Sequence, residues 1–130
     1  MEQKIYPRGE ILRTLTELAK EVSNDVFVTT RPQATSEQLE DFVLVRLPQN
    51  IRQEGDAGQY TYGQFSMFAR DIEGRYEDVM RLDEMQSAIT EMFPIVTPTF
   101  TATRPLILAG GTDQAGFHFI TIQFEIQITI

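Results

Sequence analysis

The sequence predicts an α+β domain. Two segments carry apolar residues at helical spacing, one near the N-terminus and one in the middle of the chain, and the segments between and after them have strand composition. The last stretch, FHFITIQFEIQITI, alternates apolar and polar side chains with period two, as a strand with one packed and one wet face must. At 130 residues the chain has the size of one common domain, able to bury a core without disulfides or metals.

Taken in order, Ile11, Leu12, Leu15, Leu18, Ala19 and Val22 share one side of a helix over residues 7–22, opposite Arg13, Glu17 and Lys20. Pro7 suits the first turn, where a missing amide proton costs nothing, and Ser23, Asn24 and Asp25 end the helix by competing for backbone hydrogen bonds. Residues 26–30, VFVTT, form a strand stopped by Arg31 and Pro32. In the polar insert that follows, Thr35 and Gln38 have capping-box spacing, which predicts one helical turn over 36–40. Residues 42–47, FVLVRL, are apolar almost without interruption, the pattern of a central strand covered on both faces.

Residues 48–59, PQNIRQEGDAGQ, lack periodicity and read as a long exposed loop of the kind that carries contacts. A long strand follows over 60–70, where Gly63 marks either a bulge or a close backbone approach, and residues 71–74 turn out of it. The second helix spans 75–92, with Tyr76, Val79, Leu82, Met85, Ile89 and Met92 or Phe93 as its apolar stripe and Pro94 as its stop. Glu77 and Asp78 lie in its first turn, complementing the helix dipole. Residues 95–103 have strand composition, but Pro98 cannot donate to a ladder, so that strand is at an edge or bulged. Arg104 and Pro105 separate it from Leu106, Ile107 and Leu108, and the glycine-rich residues 109–116 connect to the terminal strand over 117–130.

Composition excludes several chemistries. There is no cysteine, hence no thiolate nucleophile, disulfide or thiolate metal site. The net charge of −8 repels polyanions, and Arg46 and Arg52 beside a loop are better explained as solvated or ion-paired than as a nucleic-acid patch. No apolar run approaches the roughly 20 residues that span a bilayer, and the N-terminus has no secretory pattern, so a soluble chain folding in the cytosol is expected, without membrane partners.

His118, the one histidine, shares the apolar face of the terminal strand and reads as a satisfied core-rim residue rather than a base, since no nucleophile motif accompanies it. Zinc would need further nitrogen or sulfur ligands. Glu77, Asp78, Asp83, Glu84 and Glu91 read as the solvated face of the second helix, and the Gly110 loop has no lysine and leads into a strand, unlike a phosphate loop. No catalytic, cofactor or metal site is expected.

Assembly is what remains. At about 3.3 Å per residue, a strand over 117–130 exceeds 40 Å, longer than a domain of this size needs, so part of it should overhang and pair with a neighbouring copy. The expected subunit or tube contacts are Arg52 and Asp56 in the loop, Tyr60 and Tyr62 beside it, and Phe124, Ile126, Ile128 and Ile130 on the strand.

The element order, and most closely YTYGQFSMFARDIEG over 60–74 with the helix after it, resembles the tail-terminator, tail-completion and head-tail neck proteins of long-tailed bacteriophages. The resemblance implies a mixed or mainly antiparallel sheet with two helices packed on one face. It further implies copies in a ring, commonly a hexamer, that terminate the tail tube or join tail to head and catalyse nothing. Tail-tube and head-tail connector proteins would be the partners, and the virion tail or neck the location, after assembly in the host cytoplasm. Two other functions fit the residues: a small ligand-binding or enzyme domain with a pocket between helices and sheet that uses His118 and a carboxylate, and an adaptor for host proteins.

Overall fold

The structure is a computed structural model that describes residues 8–33, 38–48, 51–53, 58–113 and 115–129, with the backbone alone for residues 52 and 53. In chain order its elements are α1 (Arg8–Ala19), β1 (Val26–Val28), β2 (Asp41–Arg46), β3 (Arg52–Gln53), β4 (Gln59–Arg70), α2 (Val79–Thr90), β5 (Ile95–Val96), β6 (Phe100–Thr112) and β7 (Phe117–Ile128). All strands join one mixed sheet in the order β1-β2-β4-β7-β6-β5, with β3 pairing β4 beyond the end of β2. Every pairing is antiparallel except β1 with β2.

Both helices cover the same face, as expected. Ile11, Leu15 and Ala19 of α1 and Leu82, Met85 and Ile89 of α2 are fully buried against Val43, Val45, Phe65, Met67, Ile122, Phe124, Ile126 and Ile128 of the sheet. Each of these side chains except Ala19 contributes about 1.5–3 kcal/mol on burial. On the other, outer face β2 and its neighbours build a second apolar cluster of Phe42, Leu44, Phe68 and Phe117, which is why β2 reads as apolar on both faces. Leu106 and Leu108 lie at the β6 edge of the outer face, and its middle is polar. There Arg46 donates to Gln64 at 2.8 Å, Gln64 donates to Gln123 at 2.9 Å, and the Ser66 and Thr121 hydroxyls meet at 2.8 Å.

Several expectations need correction. The loop expected over 48–59 contains β3, whose Arg52 and Gln53 pair with Tyr60 and Gln59. The second helix begins at Val79, because the Asp78 carboxylate accepts the Arg81 amide at 3.1 Å and caps it; Glu77 therefore precedes the helix, and Tyr76 instead bridges back to Ile72. Pro98 stands in a turn fastened by the Thr97 hydroxyl, which donates to the Phe100 carbonyl and accepts its amide, both at 2.9 Å. The strand expected to break at Arg104 and Pro105 runs on to Thr112 through two bulges, between Thr103 and Leu106 and between Leu108 and Gly111. Of the helical turn expected over 36–40, residues 36 and 37 lie outside the described residues.

Gly63 is a close approach rather than a bulge, since β4 stays in register with β7 through the pair Gly63 and Phe124. A Cβ there would lie 2.5 Å from the Phe124 ring. At the second bulge, Gly110 passes so near the Phe119 carbonyl that a Cβ would sit 1.4 Å from its oxygen.

Candidate functional site

The terminal strand does not overhang. β7 pairs along its whole length with β4, from Phe117 opposite Arg70 to Ile128 opposite Gln59, and on its other side with β6. Its length is matched by two equally long neighbours, a feature invisible to a length argument applied to one strand at a time. Phe124, Ile126 and Ile128 are 1%, 1% and 5% exposed, buried by their own chain beneath the helices. Their side chains are therefore taken up by the core and are not surface contacts in this fold. Ile130 and Asp56 lie outside the described residues, and Arg52 is placed through its backbone pairing with Tyr60.

Tyr60 and Tyr62 face outward, as the alternation of β4 requires. Together with Thr103, Arg104, Glu125 and Gln127 they line a cleft of about 460 Å³ across the outer face. A second cleft of about 370 Å³, which shares Tyr62, Arg104 and Glu125, opens beside Pro105 and Leu106. Arg104 holds a left-handed backbone at φ 57° in the first bulge and reaches Glu125 at 3.3 Å. The structure thus brings two expected contact residues of β4 into one cleft with Thr103 and Arg104 of β6, across β7.

At β6 the sheet ends. β5 pairs with Thr101 and Ala102, and beyond them no described strand lies on the outer side of β6. There Leu106 is 58% and Ile107 48% exposed. A strand edge that no described strand pairs, with apolar side chains on both faces, is a template for another strand. At the opposite edge, β1 has three residues and leaves Val28 41% exposed. Pro105 inside an apolar run was the available signal for this edge, because proline in a sheet is confined to edges and bulges.

Polar ties hold the two apolar layers. On the outer face, the Arg31 guanidinium lies 5.4, 5.9 and 5.6 Å from the ring centres of Phe42, Phe68 and Phe117 and pairs with Asp113 at 2.7 Å. Asp113 also accepts the Ala115 amide, so the residues after β1 and the β6–β7 connection close over the second cluster together. On the helix side, Arg81 donates to Asp41 at 3.0 Å, Glu84 at 3.2 Å and the Val22 carbonyl at 2.9 Å. Burial alone would lower its pKa, but the bonds and charges of Asp41 and Glu84 outweigh that and leave it raised.

His118 Nδ1 meets the Asp71 carboxylate at 2.5 Å, with side chains 24% and 7% exposed. Asp71 also donates its amide to the Gly116 carbonyl at 2.9 Å, so the pair fastens the end of β4 to the start of β7. His118 does have an acid beside it, yet it lines none of the clefts described here. Asp83 and Glu84 lie on the exposed face of α2, and Glu91 is exposed at its C-terminal cap. Among the described residues no three acidic or histidine side chains are grouped to hold a metal ion, and no helix is long and apolar enough to cross a membrane.

No model of a known protein family matches the chain, and no curated protein sequence matches it. Among solved structures, a chain from the virion of a native gene transfer agent (GTA) particle aligns over 92% of this chain and 90% of its own length, with 14% identity and a TM-score of 0.49.

Proposed function

We propose that this chain is a non-enzymatic structural protein of a phage or prophage particle. In this reading it forms one domain, assembles with copies of itself into a ring, and acts at the head-proximal end of the tail, where it ends the tube or joins it to the head. The observation that carries the reading is the β6 edge, where Leu106 and Ile107 are exposed and no described strand pairs with them, which gives the fold a surface suited to another polypeptide. The likeness of residues 60–92 and of the element order to tail-terminator, tail-completion and neck proteins supports that location. The net charge of −8 suits a ring through which DNA passes without being held.

The test is electron microscopy of particles made by the phage or prophage after deletion of this gene. Heads and tails that fail to join, or tails of unregulated length, are expected, with rescue by the intact gene in trans. Normal particles in normal numbers would overturn the reading.

A further inference from the structure

The pairing register reveals a row of side chains running across the whole sheet. Val28 pairs with Val45, Val45 with Phe65, Phe65 with Ile122, and Ile122 with Ile107. All five are apolar and lie on the helix-covered face. The three inner members are fully buried, whereas Val28 at one end and Ile107 at the other emerge 41% and 48% exposed. The next row, Phe27, Leu44, Ser66, Thr121 and Leu108, belongs to the outer face and reaches the same two edges.

We propose that these two edges meet between copies of the chain: β1 of one copy pairs with β6 of the next, placing Val28 beside Ile107 and Phe27 beside Leu108. This rests on the self-assembly put forward above and names its joint. Three observations converge on a second copy as the occupant. First, strand sense fits: β1 runs with β2 and against β4, while β6 runs with β4, so two copies side by side in the same orientation present β1 antiparallel to β6. Second, face parity fits, because Val28 and Ile107 both belong to the helix-covered face and Phe27 and Leu108 both to the outer one. Third, extent fits: with Val28 opposite Ile107 and Phe27 opposite Leu108, the pairing is bounded on one side by the end of β1 at Thr29, φ 68°, and on the other by the second bulge of β6, which follows Leu108.

The joint is head-to-tail, so it repeats, closing into a ring when the rotation per copy closes. Pairing of two residues from each strand covers less surface than the about 1,200 Å² of a stable interface, so a covalent trap is the suitable probe. The chain has no cysteine of its own, and introduced thiols are therefore the only ones present. Within one chain positions 28 and 107 lie on opposite edges, four strand spacings or roughly 19 Å apart, too far for a disulfide.

The experiment is oxidation of three full-length variants, Val28→Cys, Ile107→Cys and the double variant, each first shown to keep the wild-type urea midpoint. The double variant is expected to link into a ladder of dimers and larger species at least about tenfold faster than either single variant. Dimerisation of Ile107→Cys alone at that rate shows β6 pairing with itself and overturns the proposal. Slow, equal linking of all three, while the wild type assembles by light scattering, overturns this joint and leaves self-assembly standing. Slow linking together with a wild type that never assembles overturns both.

Discussion

Replacement of Gly63 by alanine tests how the core is assembled. The added methyl would stand 2.5 and 2.6 Å from two ring carbons of Phe124 and 3.1 Å from Ile126 Cδ1. That ring has little freedom to move, because Phe65 stacks on it at 5.2 Å and Phe93 lies against it at 5.0 Å. Overpacking of this kind costs about 1–3 kcal/mol, while exchange of glycine for alanine in a strand returns about 0.5–1 kcal/mol of backbone entropy. The net expectation is a loss of about 1–2 kcal/mol. With an unfolding entropy of about 0.27 kcal/mol/K for 130 residues, each kcal/mol lowers the Tm by about 4 °C, so calorimetry should read a drop of about 4–8 °C. Combination with Phe124→Leu should recover part of the loss, since the two positions share one space. An unchanged or raised Tm for Gly63→Ala would refute the close-approach explanation.

Three further outcomes are expected. Gly110→Ala sets a Cβ against the Phe119 carbonyl, a backbone conflict with no side chain to yield, and should cost at least about 3 kcal/mol in urea unfolding; a cost below 1 kcal/mol would contradict the bulge geometry. Arg31→Ala removes the partner of the 9%-exposed Asp113 side chain and uncovers three phenyl rings, so a loss of about 2 kcal/mol is expected, with a rise in dye binding to exposed apolar surface if the outer cluster opens. Arg81→Gln should lower stability by about 1–2 kcal/mol, and the difference from wild type should stay flat from neutral pH to pH 9. The sign follows from the raised pKa of Arg81: its contribution is complete below its unfolded-state pKa and lost only as pH rises through the folded one, in strongly alkaline solution. A difference that fades before pH 9 would show that another group governs the tie.

The helices and most strands were legible in the sequence because their apolar spacing is set by local geometry. Ile11, Leu15 and Ala19, and Leu82, Met85 and Ile89, are buried as the helical period requires. The face assignment of β7 was also legible, since Ile122, Phe124, Ile126 and Ile128 point inward and Gln123, Glu125 and Gln127 outward. Its place in the sheet was not. Edge or centre depends on which strands are equally long, and β6 was concealed by Arg104 and Pro105, which sit in a bulge instead of ending the strand. With β6 concealed, neither the full pairing of β7 nor the exposed edge at Leu106 and Ile107 could be read from local patterns. The role of Arg31 was hidden for a different reason: Asp113 is 82 residues away, and no local pattern announces a pairing of that separation.

The central claim is that the open edges of this sheet join copies of the chain. Light scattering on the intact protein from micromolar to millimolar concentration, beside Leu106→Lys/Ile107→Lys, tests it most directly. Because both side chains are about half exposed, the double variant should keep wild-type stability to within about 0.5 kcal/mol per site. The expected result is a wild-type mass that climbs with concentration toward a fixed multiple of one chain, and a variant that stays at the mass of one chain throughout. A wild type that remains at single-chain mass across the whole range, or a variant that assembles equally well, would contradict the account.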